Sequence, residues 1–427
     1  MSLPTLVDYQ EPLVMLPDET QNFNVCMTPV NGSSFAPSSQ ILVDLGNRGF
    51  LDPASLVMRY TITYTLTTAT ATYLSGTPVY SPFLRLDTLV NSQTIETINN
   101  YNTVANVWTN LQMGISEKLG QQYNLGFSGN SALSNENVDG ATINAGAGTT
   151  VSLMLSAPII CLLGQSEKLI PLFLLNNTRL AFTLDTASAV GSGITADAKV
   201  SNFSITNFEL CYNMIDFGQA VQQEVIALNP KLRIKSSSFA TSMAPQLASG
   251  ISGSQTLSFN LRFASVKSAF MSFGGATGTS ASQAFESFDI TGANGDYQFS
   301  IGGVNFPQKA LSTKNNKGGC LMELRRAMGS IFGKNVAVSI NTSEYSIITG
   351  ATTTVQIPAK FWLGVNLSKL TIDQKAFFTG ISTQLSPIQL NVNIGTATSA
   401  PINPMLILYY DSIMEIDTGS KQVLMIQ

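Results

Sequence analysis

The stretch Met58-Arg-Tyr-Thr-Ile-Thr-Tyr-Thr-Leu66 alternates apolar and polar residues without interruption. In an extended chain its apolar side chains all lie on one face, and its arginine and threonines lie on the other. A β-strand with one face against a core and one face towards water has this pattern. The stretch therefore predicts an antiparallel sheet with one buried face.

The same alternation recurs in several other parts of the chain, which indicates an all-β protein. It is found in Phe208–Met214, Leu257–Phe263 and Ile388–Ile394. Stretches rich in Gly, Ser, Thr, Ala and Asn lie between such strands and predict long surface loops. The most extensive are Ser128–Thr150, Ala187–Ala196 and Gly274–Ala284.

Two segments have the spacing of an amphipathic helix, and they give the first sign of an internal repeat. They are Thr103–Leu119 and Cys320–Phe332, about half the chain apart. Each follows a predicted strand and turn, Leu84–Asn99 in the first case and Tyr297–Thr313 in the second. The order strand, turn, helix therefore occurs twice.

Two further correspondences follow in the same order. Ile170–Asp185 resembles Ile357–Asp373, and the strand Asn207–Asp216 resembles Met405–Asp417. Repetition at this scale predicts paired domains rather than a solenoid. We expect an extended N-terminal arm at 1–20, a first domain at 21–218, a linker at 219–230 and a second domain at 231–427.

A repeated antiparallel β unit with an inserted helix resembles the double jelly-roll major capsid proteins. This family includes adenovirus hexons and the capsid proteins of tailless lipid-containing phages, virophages, polinton-like viruses and large algal viruses. The resemblance is carried by Leu84–Thr103, by Ile170–Asp185 and by the two closing strands, and it is greatest to the virophage and polinton-like branch. It implies two tandem jelly-roll β-sandwiches with one short helix inserted in each.

The resemblance also implies a function. Members of the family form homotrimers whose six jelly rolls make a pseudo-hexameric block, and these blocks tile an icosahedral shell that encloses the genome. The expected partners are therefore the chain itself, neighbouring trimers and penton or minor capsid proteins; the resemblance leaves open whether an internal membrane is a further partner. The expected location is the virion, after synthesis in a host cytoplasm.

The composition agrees with an obligate assembly. Of 427 residues only 11% are charged, against about 25% in an ordinary soluble domain, while 44% are hydrophobic and the mean hydropathy is +0.18. No apolar run reaches the ~18 residues of a membrane span, so we expect neighbouring subunits to cover the apolar surface. The net charge of −4 and the lack of a Lys/Arg run weigh against sequence-independent nucleic-acid binding, and we expect no sequence-specific nucleic-acid binding either.

Several kinds of catalytic and metal site are excluded by the sequence. It contains no histidine, which removes Ser-His-Asp, Cys-His and histidine–zinc sites. The four cysteines, at 26, 161, 211 and 320, lack the close spacing of zinc or redox motifs and are predicted to be buried reduced thiols. We expect no enzyme activity and no cofactor, and we assign no catalytic, cofactor-binding or metal-ligating residue.

Three weaker motifs were weighed against this interpretation. Glu286 and Asp289 could form the carboxylate pair of a glycosidase, although loop acids are usually only solvated. The loop Gly274–Ser280 lacks the lysine of a phosphate-binding loop. A basic cluster could contact nucleic acid or a membrane, but we expect it to pair with acids across an interface; it comprises Lys314, Lys317, Arg325, Arg326 and Lys334.

Two alternative functions share these sequence features. A cell-surface adhesin or carbohydrate-binding β-sandwich protein would also be rich in strands and poor in charge. The start Met1–Asp8 has neither the positive charge nor the apolar core of a secretion signal, which argues against it. A single-jelly-roll capsid protein with a protruding domain fits the internal repeat less well.

The prolines at 4, 12 and 17 predict an extended N-terminal arm, which we expect to face the shell interior and to contact a neighbouring subunit or a minor protein.

Overall fold

A computed structural model gives the structure of the protein and describes the following parts of the chain. The described residues are 20–66, 72–74, 77–126, 142–143, 150–193, 200–275, 287, 295–313, 317–328, 340, 345, 360–369, 378–395 and 401–427. Among them, strands in antiparallel sheets predominate and the helices are short. The predicted all-β class is confirmed.

The first half of the chain forms two main sheets. Its strands are β1 Gln21–Met27, β2 Ser34–Phe35, β3 Gln40–Asp44, β4 Phe50–Leu51, β5 Val57–Leu66, β6 Thr72–Leu74, β7 Phe83–Val90, β8 Gln93–Asn99, β9 Thr142–Ile143, β10 Thr150–Pro158, β11 Ile170–Pro171, β12 Arg179–Leu184, β13 Gly191–Gly193 and β14 Val200–Asp216. The larger sheet has the order β10-β5-β14-β4-β11, with β1 and β2 also paired to β14. The smaller has the order β3-β12-β7-β8, and β13-β6-β9 form a minor third sheet.

The second half repeats this arrangement. Its strands are β15 Lys231–Met243, β16 Gly253–Phe259, β17 Val266–Gly275, β18 Asp296–Ile301, β19 Val304–Ser312, β20 Leu363–Asn366, β21 Ile388–Ile394, β22 Ile402–Asp417 and β23 Val423–Ile426. One sheet has the order β15-β22-β17-β20, with β23 also paired to β22, and the other has the order β16-β21-β18-β19. Each half is thus a sandwich of two sheets.

The two halves match strand for strand when the short strands are left aside. The order β1-β14-β5-β10 corresponds to β15-β22-β17-β20, and β3-β12-β7-β8 corresponds to β16-β21-β18-β19. In both halves the first strand pairs with the long closing strand, β14 or β22, so that Gln21 lies opposite Asp216 and Lys231 opposite Asp417. This is the predicted pair of tandem jelly rolls.

The helices are α1 Tyr101–Gln112, α2 Ile115–Gly120, α3 Gln122–Leu125, α4 Ala187–Val190, α5 Gln219–Leu228 and α6 Lys317–Ala327. The helices α1 and α6 lie where the repeat predicts them, with different bounds. The predicted loop Ala187–Ala196 is wrong for 187–193, which form α4 and β13, because Val190 packs into the core. The predicted helix Thr103–Leu119 is divided into α1 and α2 because the backbone at Met113 is extended. In the described residues, no helix has the length and apolarity that a membrane span requires.

One of the three sequence correspondences is wrong. Ile170–Asp185 contains β12, whereas the described part of Ile357–Asp373 contains β20, whose topological equivalent is β10. The strands β12 and β20 both have consecutive buried residues, so neither has the alternation that distinguishes one strand from another. The other two correspondences, the inserted helices and the closing strands, are confirmed.

The alternating stretch Met58–Leu66 lies in β5, and its apolar residues fill the core of the first jelly roll. Met58, Tyr60, Ile62, Tyr64 and Leu66 are all essentially inaccessible to solvent. The polar end of a buried tyrosine needs a partner, and the Tyr60 hydroxyl donates to the Val79 carbonyl over 2.6 Å.

Candidate assembly surfaces

The outer face of the larger sheet of the first jelly roll is rich in hydroxyl groups. Thr63 of β5 lies opposite Ser152 of β10, and their hydroxyl oxygens are 2.8 Å apart. Next to them Thr61 lies opposite Met154, whose side chain is 77% exposed. Alternation alone puts these residues on the outer face, because their neighbours in sequence fill the core. The exposed methionine and the lack of charge on these four residues are features found at protein–protein interfaces.

A disulfide lies at the end of the same face. Cys26 of β1 and Cys211 of β14 are register partners with Cα atoms 4.1 Å apart, and their sulfurs are bonded. The prediction of four buried reduced thiols is therefore wrong for this pair, while Cys161 and Cys320 are buried and free. Sequence spacing could not reveal the pair, because 185 residues separate its members and only strand register brings them together.

The disulfide is surrounded by charged groups. Arg59 donates from Nε to Cys211 Sγ over 3.1 Å and from Nη2 to Cys26 Sγ over 2.9 Å. Its guanidinium is also 3.3 Å from the Glu209 carboxylate. Cys26, Glu209 and Cys211 form the one group of potential metal ligands found among the described residues. Bonded sulfurs are not thiolates, and a guanidinium opposes a cation, so this group does not suit a metal ion.

The joint between the two jelly rolls is formed by the edge strands β8 and β15. Its centre is Glu96 of β8, which is buried. The Leu162 amide donates to both carboxylate oxygens over 2.9 and 3.0 Å, and the Thr88 hydroxyl donates over 2.7 Å. The Ser238 hydroxyl of β15 donates from the second jelly roll. A buried acid thus connects the halves through neutral donors.

The remainder of the joint is aromatic and polar. The Trp108 ring of α1 lies 5.1 Å from Phe239 and 5.5 Å from Tyr409, measured between ring centroids. Next to it, the Thr241 hydroxyl donates to the Asn99 carbonyl over 3.1 Å. Edge-to-face and tilted aromatic contacts of this kind bury large surfaces in a defined geometry. The two jelly rolls are therefore held by both apolar packing and hydrogen bonds.

The charge state of the joint follows from its burial. Burial raises the pKa of Glu96 above its ordinary value, and the hydrogen bonds from Ser238, Leu162 and Thr88 oppose this rise. Burial also raises the pKa of Tyr410 strongly, and the charge of Glu96 adds to the effect. Both groups favour their neutral forms more than they would in water.

Some residues of the weaker sequence motifs lie in the described part of the chain. Gly274 and Gly275 end β17, while 276–280 and the acids Glu286 and Asp289 lie outside the described residues, as does the arm at 1–19. Lys317, Arg325 and Arg326 lie on α6, where Arg326 pairs with Glu323 at 2.7 Å. Lys314 and Lys334 are outside the described residues.

Comparison with known proteins establishes the fold. No protein-family model and no curated protein sequence matches the chain. The PBCV-1 virus capsid has a similar structure, with a TM-score of 0.62 and 10% identity over 97% of this chain and 98% of that one. The Faustovirus major capsid protein gives 0.62 and 10% over 96% and 92%, and the mavirus major capsid protein gives 0.57 and 8% over 100% and 95%.

These similarities extend over nearly the full length of both partners. They agree with the strand order, in which two sandwiches of the same topology follow one another along the chain. The chain has the double jelly-roll fold.

Proposed function

We propose that the chain is a viral major capsid protein that forms pseudo-hexameric homotrimers, which tile an icosahedral shell enclosing the genome. The observation that carries the proposal is the double jelly-roll fold, which the chain shares over its full length with capsid proteins of three viruses. Two jelly rolls in one chain give a trimer six similar sandwiches, a number suited to hexagonal packing.

The mechanism in this proposal is self-assembly without covalent chemistry. The low charge content and the hydroxyl-rich outer face around Met154 suit surfaces that become buried between subunits. Trimer formation would bury apolar area, and many weaker contacts between trimers would then add together until the shell closes. The proposed protein is not an enzyme and requires no cofactor.

The proposed division of the chain follows the strand pairing. Each strand pair in the described residues joins strands of the same half, within 21–216 or within 231–426. This supports a first jelly roll at 21–218, a linker at 219–230 that contains α5, and a second jelly roll at 231–427. The arm at 1–20 would enter β1 from the shell interior and contact a neighbouring subunit or a minor capsid protein.

Other parts of the proposal concern partners and place. The expected partners beyond the trimer are neighbouring trimers and penton or minor capsid proteins. The protein would be made in the host cytoplasm and act in the virion. The alternative of an adhesin or carbohydrate-binding protein is less well supported, since the solved structures named above are capsid proteins over nearly their whole length.

Light scattering of the purified full chain, followed by negative-stain imaging of the same sample, tests the proposal. The expected result is a stable species of about three times the chain mass of 45.6 kDa, seen as hexagonal blocks or shells. A monodisperse monomer with an elongated outline, over a wide concentration range, would refute the capsid proposal. Binding of that monomer to glycans would then favour the carbohydrate-binding alternative.

A further inference from the structure

The two sulfurs of the Cys26–Cys211 disulfide differ in their access to solvent. Cys26, on β1, is exposed, whereas Cys211, on β14, is buried and only 7% accessible. Exchange with an external thiol begins when a thiolate attacks one of the two sulfurs, so access selects the sulfur that is attacked. In this disulfide the accessible sulfur is that of Cys26.

Arg59 lies beside the sulfur that such an attack would displace. Its Nε is 3.1 Å from Cys211 Sγ, and its Nη2 is 2.9 Å from Cys26 Sγ. A disulfide sulfur is a weak acceptor, whereas a thiolate next to an arginine is stabilised by the positive charge. Glu209, 3.3 Å from the same guanidinium, offsets part of that charge. The arrangement therefore favours departure of Cys211 as a thiolate.

The second jelly roll has a different pair of residues at the corresponding position. Counted from the first residue of each strand pair, Cys26 and Cys211 correspond to Ser236 and Ser412, which are also register partners. Both serines are buried, and the Ser236 hydroxyl donates to the Leu162 carbonyl at the joint. The cysteines thus occur in the copy of this strand pair that solvent reaches, and the serines occur in the copy that is covered.

The other two cysteines differ from this pair in every respect that matters for exchange. Cys161 and Cys320 are buried and free. Burial raises the pKa of the Cys161 thiol, which keeps it protonated. A buried, protonated thiol is a poor nucleophile, so these cysteines provide an internal reference for accessibility.

We propose that Cys26–Cys211 is a thiol-exchange site, at which a low-molecular-weight thiol attacks Cys26 and Cys211 leaves as a thiolate stabilised by Arg59. The inference goes beyond the proposed function and does not rest on it, because all the groups of the site belong to one chain.

The exchange has two balanced steps. The thiolate of the first thiol molecule bonds to Cys26 Sγ, the bond between Cys26 and Cys211 breaks, and its electron pair stays on Cys211 Sγ beside Arg59. The thiolate of a second thiol molecule then attacks the sulfur of the first, and Cys26 leaves as a thiolate. Two small thiols are oxidised to one disulfide, the protein disulfide is reduced to two thiols, and the protons lost by the former are taken up by the latter.

Opening this bond removes the covalent connection between β1 and the rest of the first jelly roll. Every residue of β1 is exposed or half-buried, so the reduced strand is retained mainly by its backbone pairing with β14. The redox state of the surroundings would therefore decide how firmly β1 is held, with a covalent connection in an oxidising medium and none in a reducing one.

Reduction of the oxidised, folded chain by reduced glutathione tests the role of Arg59. Arg59→Gln is expected to slow reduction about 10-fold, because the departing thiolate loses its cation. Arg59→Lys should retain most of the wild-type rate. Arg179→Gln is the matched control and should leave the rate unchanged, since Arg179 pairs with Asp44 at 3.5 Å in the other sheet.

The sign of the effect separates this role from a structural one. If Arg59 only packed against the disulfide, its replacement would expose Cys211 and speed reduction. Glu209→Gln is expected to speed reduction, because the charge of Arg59 is then no longer offset. Circular dichroism checks that the variants fold. An unchanged or faster rate in a folded Arg59→Gln chain would overturn the proposal.

The site of attack is tested by stopping the reaction with acid after partial reduction and mapping the peptides by mass spectrometry. Glutathione is expected on Cys26, with Cys211 as a free thiol and with Cys161 and Cys320 unmodified. Glutathione on Cys211 instead, or reduction that occurs only in denaturant, would show that the folded chain has no exchange site at Cys26.

Discussion

The first strands of the two jelly rolls occupy the same place in the fold and are stabilised in different ways. β1 is exposed along its length and is bonded to the closing strand through Cys26 and Cys211. β15 has no cysteine, and its centre is buried against the first jelly roll. Topology thus determines where a strand lies, whereas the surface that covers the strand determines which residues it carries.

Two acids that contact β15 differ in a similar way. Glu96 is buried among neutral donors at the joint. Glu415 of β22 lies between two cations, 2.7 Å from Arg233 and 3.2 Å from Lys231. The pKa of Glu96 is raised by burial, and the pKa of Glu415 is lowered by its hydrogen bonds to Arg233 and Lys231. Substitutions at the first strands and at these two acids test the differences.

The largest effect is expected at the joint. Glu96→Ala leaves the Leu162 amide and two hydroxyls buried without their acceptor, which should lower the free energy of unfolding by about 3 kcal/mol. Glu209→Ala, which removes a partly exposed acid of β14, is the matched control and should cost less than about 1 kcal/mol. Urea unfolding followed by tryptophan fluorescence measures both. Equal losses in the two variants would mean that the buried carboxylate does not stabilise the joint.

A smaller effect is expected at the first strand. Replacing Cys26 and Cys211 together by Ser should lower the stability of the first jelly roll by about 2–4 kcal/mol under oxidising conditions. A reducing agent should destabilise the wild type by a similar amount and leave the double variant unchanged. Hydrogen exchange of the β1 and β15 amides, measured with and without reductant, compares how strongly the two strands are protected. Loss of protection in β15 as large as that in β1 would show that the two strands are not stabilised separately.

The smallest effects are expected from pH, with opposite signs for the two acids. The pKa of Glu96 is higher in the folded chain than in the unfolded chain, so its contribution favours folding at low pH and declines as the pH rises towards the folded value. The pKa of Glu415 is lower in the folded chain, so its contribution is present above the unfolded value and is lost as the pH falls through the folded one.

Melting temperatures of the wild type, Glu96→Gln and Glu415→Gln between pH 3 and 7 test these signs. Relative to the wild type, Glu96→Gln should gain stability as the pH rises, by about 2 °C or less. Glu415→Gln should lose stability relative to the wild type over the same change. Differences that run in the same direction for both variants would refute the assignment of their charge states.

The fold could be predicted from the sequence wherever one face of a strand meets water. β5 and β21 were found because core residues alternate with threonine or asparagine in their sequences. β12 and β20 were confused because burial on both faces removes that alternation. The repeat was recognised from the inserted helices and closing strands, which keep their character in both halves.

The joint was not predicted, for a physical reason that Glu96 illustrates. Its strand reads Gln-Thr-Ile-Glu-Thr-Ile-Asn, an ordinary half-exposed edge in which a glutamate would face water. It is buried because Leu162 and Ser238, 66 and 142 residues later in the chain, lie against it. The disulfide was missed for the same reason, since strand register and not sequence spacing brings its cysteines together. Contacts between distant segments leave little local signal.

The pairing of each first strand with the long closing strand of its jelly roll has a consequence during synthesis. β1 cannot find its partner until β14 has been translated, and at 5–20 residues per second the 185 residues between Cys26 and Cys211 take roughly 10–40 s. The first jelly roll can close as soon as residue 216 has left the ribosome, while β22 is still unmade. Newly made chains therefore pass through a stage with one finished sandwich and one unpaired strand, β15, which is the stage at which a chaperone would be needed.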